Sequence, residues 1–267
     1  MARSAIINVM VQAARKAGRT LARDFGEVEN LQVSLKGPNN FVTAADRRAE
    51  KILIEELSRA RPGYSILAEE TGAIPGPDRT HRWIIDPLDG TTNFLHGFPL
   101  FAISVALERE GQLVAGLIYN PVTDELYTGE RGKGAFLNDR RIRVAARSRL
   151  VDAMITCGIP HYGRGDHALA LKELAAVMGQ VAGVRRTGSA ALDLAFVAAG
   201  RCDGFWERTL SAWDMAAGIL LVREAGGFVT DLAGGDAMLD RGDIVAGNEA
   251  IQRDLLGVLK AASGPQT

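Results

Sequence analysis

Residues 83–94 read W-I-I-D-P-L-D-G-T-T-N-F, and the fold turns on how this stretch is understood. An apolar run, Trp83–Ile85, leads straight into two acids, Asp86 and Asp89. Pro87 stiffens the backbone between them, and Gly90-Thr91-Thr92 follows where a helix can begin. Carboxylates in such a corner suit a hard divalent cation such as Mg²⁺, and free N–H groups at a helix start suit an anion. The same letters also spell an Asp-Pro turn with an Asx cap. Taken alone, the stretch leaves both open.

The composition narrows the classes. The chain has 267 residues, enough for one large domain or two modest ones with a real core. Its 31 basic and 32 acidic side chains leave a net charge of −1, far from the strongly basic balance of a protein that binds nucleic acid by bulk attraction. The two cysteines, Cys157 and Cys202, are far apart, which fits a reduced, cytoplasmic setting without a zinc knuckle. No apolar run has the length of a membrane span and no signal peptide is visible. Residues 1–23 carry arginines and a lysine but no acid, faintly like a transit peptide. Ile6, Met10, Ala13, Ala17 and Leu21 nevertheless recur at helical spacing, which predicts an ordinary surface helix running to about Phe25.

Outward from the opening stretch, Leu31–Lys36 alternates like a short strand and Gly37-Pro38-Asn39-Asn40 is turn material. A helix follows from Thr43 to about Arg59, stopped by Arg61-Pro62-Gly63. Tyr64–Ala68 predicts a strand ending in Glu69-Glu70, and residues 72–78 predict a Gly/Pro loop. Antiparallel strands are predicted from Phe101 to Tyr127, and Ile142–Val144 closes the first half. The second half alternates strand and helix: strands near 153–158, 184–186, 204–207, 227–231 and 244–247, and helices near 168–178, 190–199, 213–225 and 249–259. The fold class expected is therefore α/β, α+β in residues 1–148 and α/β in residues 149–267, with a tight seam near 145–152 and a frayed tail at 262–267.

Beyond Asp86 and Asp89, the acids that invite a chemical reading are Asp46, the pair Glu69-Glu70, and Asp214. Each also has an ordinary explanation: Asp46 and Asp214 complement a helix N-terminus, and adjacent glutamates after a strand are usually solvated. Their meaning depends on convergence. Two carboxylates about 4 Å apart repel by roughly 4 kcal/mol at an effective dielectric near 20. Several in one pocket require cations among them, or protons.

Trp83–His96 resembles the first signature of the inositol monophosphatase family, and Trp213–Gly227, W-D-M-A-A-G-I-L-L-V-R-E-A-G-G, resembles the second. Further family-like stretches are Lys36 with V-T-A-A-D ending at Asp46, A-E-E-T at 68–71, G-K-G-A-F-L-N at 132–138, G-S-A-A at 188–191 and I-V-A-G-N at 244–248. The likeness runs in order over residues 5–255. Asn40 and Phe41 depart from it, at positions that hold no metal.

The resemblance implies a layered αβαβα sandwich, a homodimer, inhibition by Li⁺, and two to three Mg²⁺ per subunit. It implies that Glu69, Asp86 and the Leu88 carbonyl hold one Mg²⁺, and that Asp86, Asp89 and Asp214 hold a second. A third, weaker ion leans on Glu69. Gly90 and Thr91 receive the phosphate through their N–H groups, while Asp46 and Thr91 orient the attacking water with Glu70 in support. Lys36 lies nearby, and Glu207 takes substrate hydroxyls beside Gly188, Ser189 and Ala190. The reaction implied is hydrolysis of a small phosphomonoester, inositol 1-phosphate or a related polyol or sugar phosphate, by in-line attack of a metal-activated water. Other members of the family act on histidinol phosphate, fructose 1,6-bisphosphate or 3′-phosphoadenosine 5′-phosphate. An acid at 207 favours a compact, hydroxyl-rich substrate.

A different class remains beside catalysis. Some bacterial relatives are linked to RNA or the transcription machinery. The run Arg140, Arg141, Arg143, Arg147 and Arg149 with the pair Arg185-Arg186 would carry such binding, or else forms a solvated basic edge. The histidines, His81, His96, His161 and His167, show no ligand spacing.

Overall fold

The computed structural model describes residues 3–27, 33–35, 41–161 and 163–264. Lys36 and the turn at 37–40, including the departure at Asn40, lie outside the described residues, as do the outer residues of the strand expected at 31–36.

Helix α1 (Ala5–Phe25) starts at Ser4, whose hydroxyl accepts from the Ile7 N–H at 3.2 Å. It buries Met10, Ala13, Ala17 and Leu21, the stripe read from the sequence. Strands β1 (Val33–Leu35) and β2 (Phe41–Thr43) form a short antiparallel pair, and α2 (Ala44–Ala60) follows. Then come β3 (Tyr64–Ala68), β4 (Gly72–Ile74), β5 (Asp78–Asp89), the single turn α3 (Thr91–Leu95), β6 (Ala102–Arg109), β7 (Gln112–Asn120), β8 (Glu125–Glu130), β9 (Gly134–Leu137) and β10 (Arg140–Ile142). The stretch expected as a loop from Gly72 opens instead with β4, which turns back on β3 with Ala68 opposite Gly72. The strand expected at Trp83–Ile85 extends on both sides into a twelve-residue strand that carries Asp86 and Asp89.

After β10 the chain continues through β11 (Met154–Cys157), α4 (His167–Met178), β12 (Gly183–Arg185), α5 (Ala190–Ala198), β13 (Gly204–Glu207), α6 (Ala212–Glu224) and β14 (Phe228–Thr230). It ends with α7 (Met238–Arg241), β15 (Ile244–Gly247) and α8 (Glu249–Ser263). The short α7 escaped the sequence reading because four residues hold too little periodicity to register. Helix α8 runs through to Ser263, past the expected end at 259.

The strands make an eight-stranded sheet ordered β10-β9-β8-β7-β6-β5-β3-β4 and a five-stranded sheet ordered β12-β11-β13-β15-β14. The first is antiparallel except where β3 and β5 run parallel. In the second, β11 runs parallel to β12 and β13 while β15 opposes β13 and β14.

Alternation along the strands sorts the side chains into layers. Trp83, Ile85, Ile103, Val105 and Leu117 pack with Met10, Leu21, Leu53 and Leu57 of α1 and α2. On the opposite face, Ile84, Ala106 and Ile118 share a core with α5 and α6, into which Phe205, Ile244 and Ala246 of the second sheet also project. The far side of that sheet packs Ile155, Trp206 and Val245 on Ile251, Leu255 and Leu259 of α8. The order is helix pair, sheet, helix pair, sheet, helix pair, the αβαβα sandwich expected. Among the described residues no helix is long and apolar enough to cross a membrane.

Helices α5 and α6 are the middle slab and are apolar around their circumference, as a helix covered on both sides must be. Residues Met215–Val222 of α6 are all buried. The two helices touch at Gly218, where an added Cβ would stand 2.5 Å from Leu194 Cβ. Gly218→Val should therefore cost about 1–3 kcal/mol through overpacking, measured by urea unfolding; an unchanged midpoint would refute the close approach.

Candidate functional site

In a regular strand, residues three apart point to opposite faces, so Asp86 and Asp89 would face away from each other. The pairing of β5 with β6 solves this. Asp86 lies opposite Ser104 but Asp89 opposite Ala102, so three steps on β5 match two on β6. The extra residue is a β-bulge, the place where a strand tolerates a proline such as Pro87. It restores the parity, and both carboxylates turn to one side. Asp86 Oδ1 accepts from the Leu88 N–H at 2.9 Å, and Thr91 Oγ1 donates to the Leu88 carbonyl at 2.9 Å. Gly90 then takes φ 90°, a left-handed turn where a Cβ would come 2.9 Å from the Leu100 carbonyl.

Asp214 arrives from the head of α6. Its Oδ2 accepts from the Ser211 N–H at 2.7 Å, the capping role read from the sequence. Carboxylate oxygens of Asp86, Asp89 and Asp214 lie within 4.8 Å of one another. A second trio, Asp46, Glu69 and Glu70, converges as tightly. Glu69 and Glu70 follow β3, and Asp46 sits in the first turn of α2. The trios are neighbours, since the charges of Glu69 and Asp46 both act on Asp86.

An open cleft with about 940 Å³ of empty space lies over this centre. Among its lining residues are Glu69, Asp86, Leu88, Asp89, Gly90, Thr91, Gly188, Ser189, Ala190, Glu207 and Asp214, all singled out from the sequence. Asp46 and Glu70 stand beside Glu69 but do not line the cleft.

Several contributions to the site were not read from the sequence. Glu50, one helical turn after Asp46, accepts from the Glu70 N–H at 2.8 Å and from the Thr71 hydroxyl, pinning the end of β3. The i, i+4 spacing of two buried acids on one helix face was the clue available. Asn93 donates to the Leu100 and Thr187 carbonyls at 2.7 and 2.8 Å, tying α3 to the loop before α5. Ser189, expected on the sugar-facing wall, is 2% exposed and donates its hydroxyl to Asp89 Oδ2, which also accepts from the Ala191 N–H at 2.8 Å. Gly158, His161, Arg164, Arg186 and Asp193 are also among the wall residues. Arg164 and Arg186 line the cleft without an ion pair among the described residues.

Burial is the main force on these acids. Burial pushes Asp86 well above the usual carboxylate range, with Glu69, Asp89 and Asp214 adding to it. Asp89 rises to about 6 through burial, restrained by its bonds to Ser189, Ala191, Ala190 and Gly90. Asp214 rises to about 8 through burial and the charge of Asp89. Burial and the charge of Asp193 likewise raise Glu207. Six carboxyl groups face two guanidinium groups across the cleft. At the separations within each trio, a charged pair costs upward of roughly 3 kcal/mol. An all-oxygen donor set of this density fits hard divalent cations.

Residues 2–263 match the inositol monophosphatase family. The chain belongs to that family. It is 70% identical over 260 residues to the inositol-1-monophosphatase of Mesorhizobium japonicum, covering 97% of this chain and 98% of that one. It is 46% identical over 241 residues to Nus factor SuhB of Vibrio cholerae, covering 90% of each. The crystal structure of extragenic suppressor protein suhB from Bartonella henselae superposes with a TM-score of 0.94 at 62% identity, covering 96% of this chain and 99% of that one.

The raised acids make a pH prediction for the metal-free protein. Between about pH 4 and pH 8 the folded chain keeps protons that the unfolded chain releases. Their contribution to stability is therefore fully present in acid and is lost as pH rises through the folded values near 6 for Asp89 and 8 for Asp214. With chelator, Tm should fall from about pH 5 to about pH 8, and Mg²⁺ should restore it with measurable proton release. A chelated protein whose Tm rises across that range would contradict the assignment.

Proposed function

We propose that this chain is a Mg²⁺-dependent phosphatase that hydrolyses inositol 1-phosphate or a closely related polyol phosphate by direct, in-line attack of water. The observation that carries this reading is the meeting of Asp86 and Asp89 from β5 with Asp214 from α6 at one corner, in a chain of this family. In this reading Glu69, Asp86 and the Leu88 carbonyl hold one ion, and Asp86, Asp89 and Asp214 a second. A third leans on Glu69. Bound ions supply charge neutralisation, a water acidified toward neutral pH and a counter-charge for the departing alkoxide.

The protein's own groups do the rest. Gly90 and Thr91 present N–H groups to the phosphate. Because the Thr91 hydroxyl spends its proton on the Leu88 carbonyl, its oxygen is left to accept, the polarity needed to orient a water by an O–H bond. Asp46 shares that orienting role and Glu70 supports it; Lys36 is assigned nearby on resemblance alone. Ser189 acts by fixing Asp89, while Gly188 and Ala190 shape the wall on which Glu207 receives substrate hydroxyls. Glu207 supports a compact, hydroxyl-rich ester over a nucleotide such as 3′-phosphoadenosine 5′-phosphate. Residues 1–148 and 149–267 work as one unit in this reading, because the cleft takes acids from both.

On the family resemblance we also assign a homodimer, sensitivity to Li⁺ and, with both cysteines unpaired and buried, a cytoplasmic setting. A second reading, contact with RNA or the transcription machinery, draws support from the relative named as a Nus factor. The basic run offers less free charge for it than the sequence suggests: Arg147 pairs with Asp203 at 3.1 Å and Arg149 with Asp152 at 3.5 Å.

Phosphate release across a panel of phosphomonoesters, with and without Mg²⁺, tests the main reading. Asp89→Asn and Asp214→Asn should each lower turnover by more than about tenfold while the protein stays folded. Activity above a tenth of the parent in either variant would contradict the ligand role. A gel-filtration mass near 28.6 kDa would remove the homodimer, and RNA binding with a steep salt slope would promote the second reading.

A further inference from the structure

Glu207 ends β13, and its carboxyl group lies back across the neighbouring strand. Cys157 of β11 pairs with Trp206 in parallel register, and the Gly158 N–H donates to the Trp206 carbonyl at 3.2 Å. Gly158 is thus level with Glu207. A Cβ placed on Gly158 would stand 1.8 Å from Glu207 Cδ, 1.9 Å from Oε1 and 2.1 Å from Oε2. The carboxyl group occupies the space that any side chain at 158 would need.

The backbone does not ask for glycine here, because Gly158 is not among the glycines with positive φ. On the other side Asp193 of α5, 1% exposed, lines the same cleft. Its Oδ1 has no hydrogen-bond partner among the described residues, and its charge acts on Glu207 more strongly than that of Asp214 or Asp89. Asp193 thus sets a second acid against Glu207, while the charge of Arg186 acts on it in the opposite sense.

We infer that Gly158 is a specificity-determining position, whose missing side chain seats the Glu207 carboxylate where a hydroxyl-rich phosphate ester meets it. The inference rests on the reading above, in which Glu207 accepts substrate hydroxyls. Position 158 acts on the alcohol end of the substrate. The phosphate end is built by β5 and α6, so binding and turnover should separate.

The test is Gly158→Ala in the full chain with Mg²⁺, assayed on myo-inositol 1-phosphate and on p-nitrophenyl phosphate, with Tm recorded. The added methyl meets the movable end of a side chain, not main chain, so the variant should fold with a Tm close to the parent. KM for the inositol ester should rise about tenfold or more, the size expected for one lost hydrogen bond to a charged acceptor, with kcat within about twofold. Hydrolysis of p-nitrophenyl phosphate, which offers Glu207 no hydroxyl, should be unchanged. Glu207→Gln should raise KM in the same way, and combining it with Gly158→Ala should add little. An unmoved KM, a parallel loss on both substrates, or a variant that does not fold would overturn the inference. A parent active on p-nitrophenyl phosphate but not on the inositol ester would remove the substrate class, and the inference with it; a parent inactive on both would remove the phosphatase reading itself.

Discussion

Repulsion among buried carboxylates is the constraint to which the rest of this structure answers. Asp86, Asp89 and Asp214 are held with oxygens within 4.8 Å of one another, and Glu69 and Asp46 act on the same centre. Left to themselves such groups splay or take up protons. They stay together because each is fixed by a part of the fold that has its own reason to form. The bulge in β5 turns Asp86 and Asp89 to one side, the cap of α6 holds Asp214, and the start of α5 grips Asp89 through Ser189 and Ala191.

This arrangement places the electrostatic cost on elements that are otherwise well packed. Helices α5 and α6 form the middle slab between two sheets, so the Asp214 and Ser189 anchors cannot drift without opening the central core. Glu50 does the equivalent work for Glu69 and Glu70 from the outer helix α2. The densest charge thus sits on packed elements at an open cleft. The cleft is lined by Asp86, Asp89 and Asp214 of β5 and α6 and by Glu207 at the end of β13, beside Gly158 after β11.

Much of the architecture was legible in the chain. The helical stripe of α1, the strand Tyr64–Ala68 and the strand–helix alternation after residue 150 each carry a strong period or a clear stop signal. Errors fell where the signal is short or non-local: β4 was hidden in a Gly/Pro stretch because its partner β3 supplies the hydrogen bonds, and α7 is only four residues long. The hydrogen bond of Ser189 to Asp89 and the contributions of Glu50 and Asn93 were not read for a related reason, since a polar side chain reveals its partner only when the chain is folded.

The sequence by itself determined which residue types were available, their order, and the local geometry of the D-P-L-D-G corner, because these depend on backbone sterics and short-range bonding. Its apolar periodicity also determined the α/β class, α+β first and α/β second, while the layered sandwich was implied by the resemblance to the family. Only the tertiary structure decided that acids from residues 69 to 214 share one cleft, with Asp46 beside Glu69. That proximity depends on strand register and on the packing of α5 against α6, which no local stretch encodes. The placement of the Glu207 carboxyl over Gly158 belongs to the same category, for two strands must lie side by side before the absence of a side chain on one becomes space for the other.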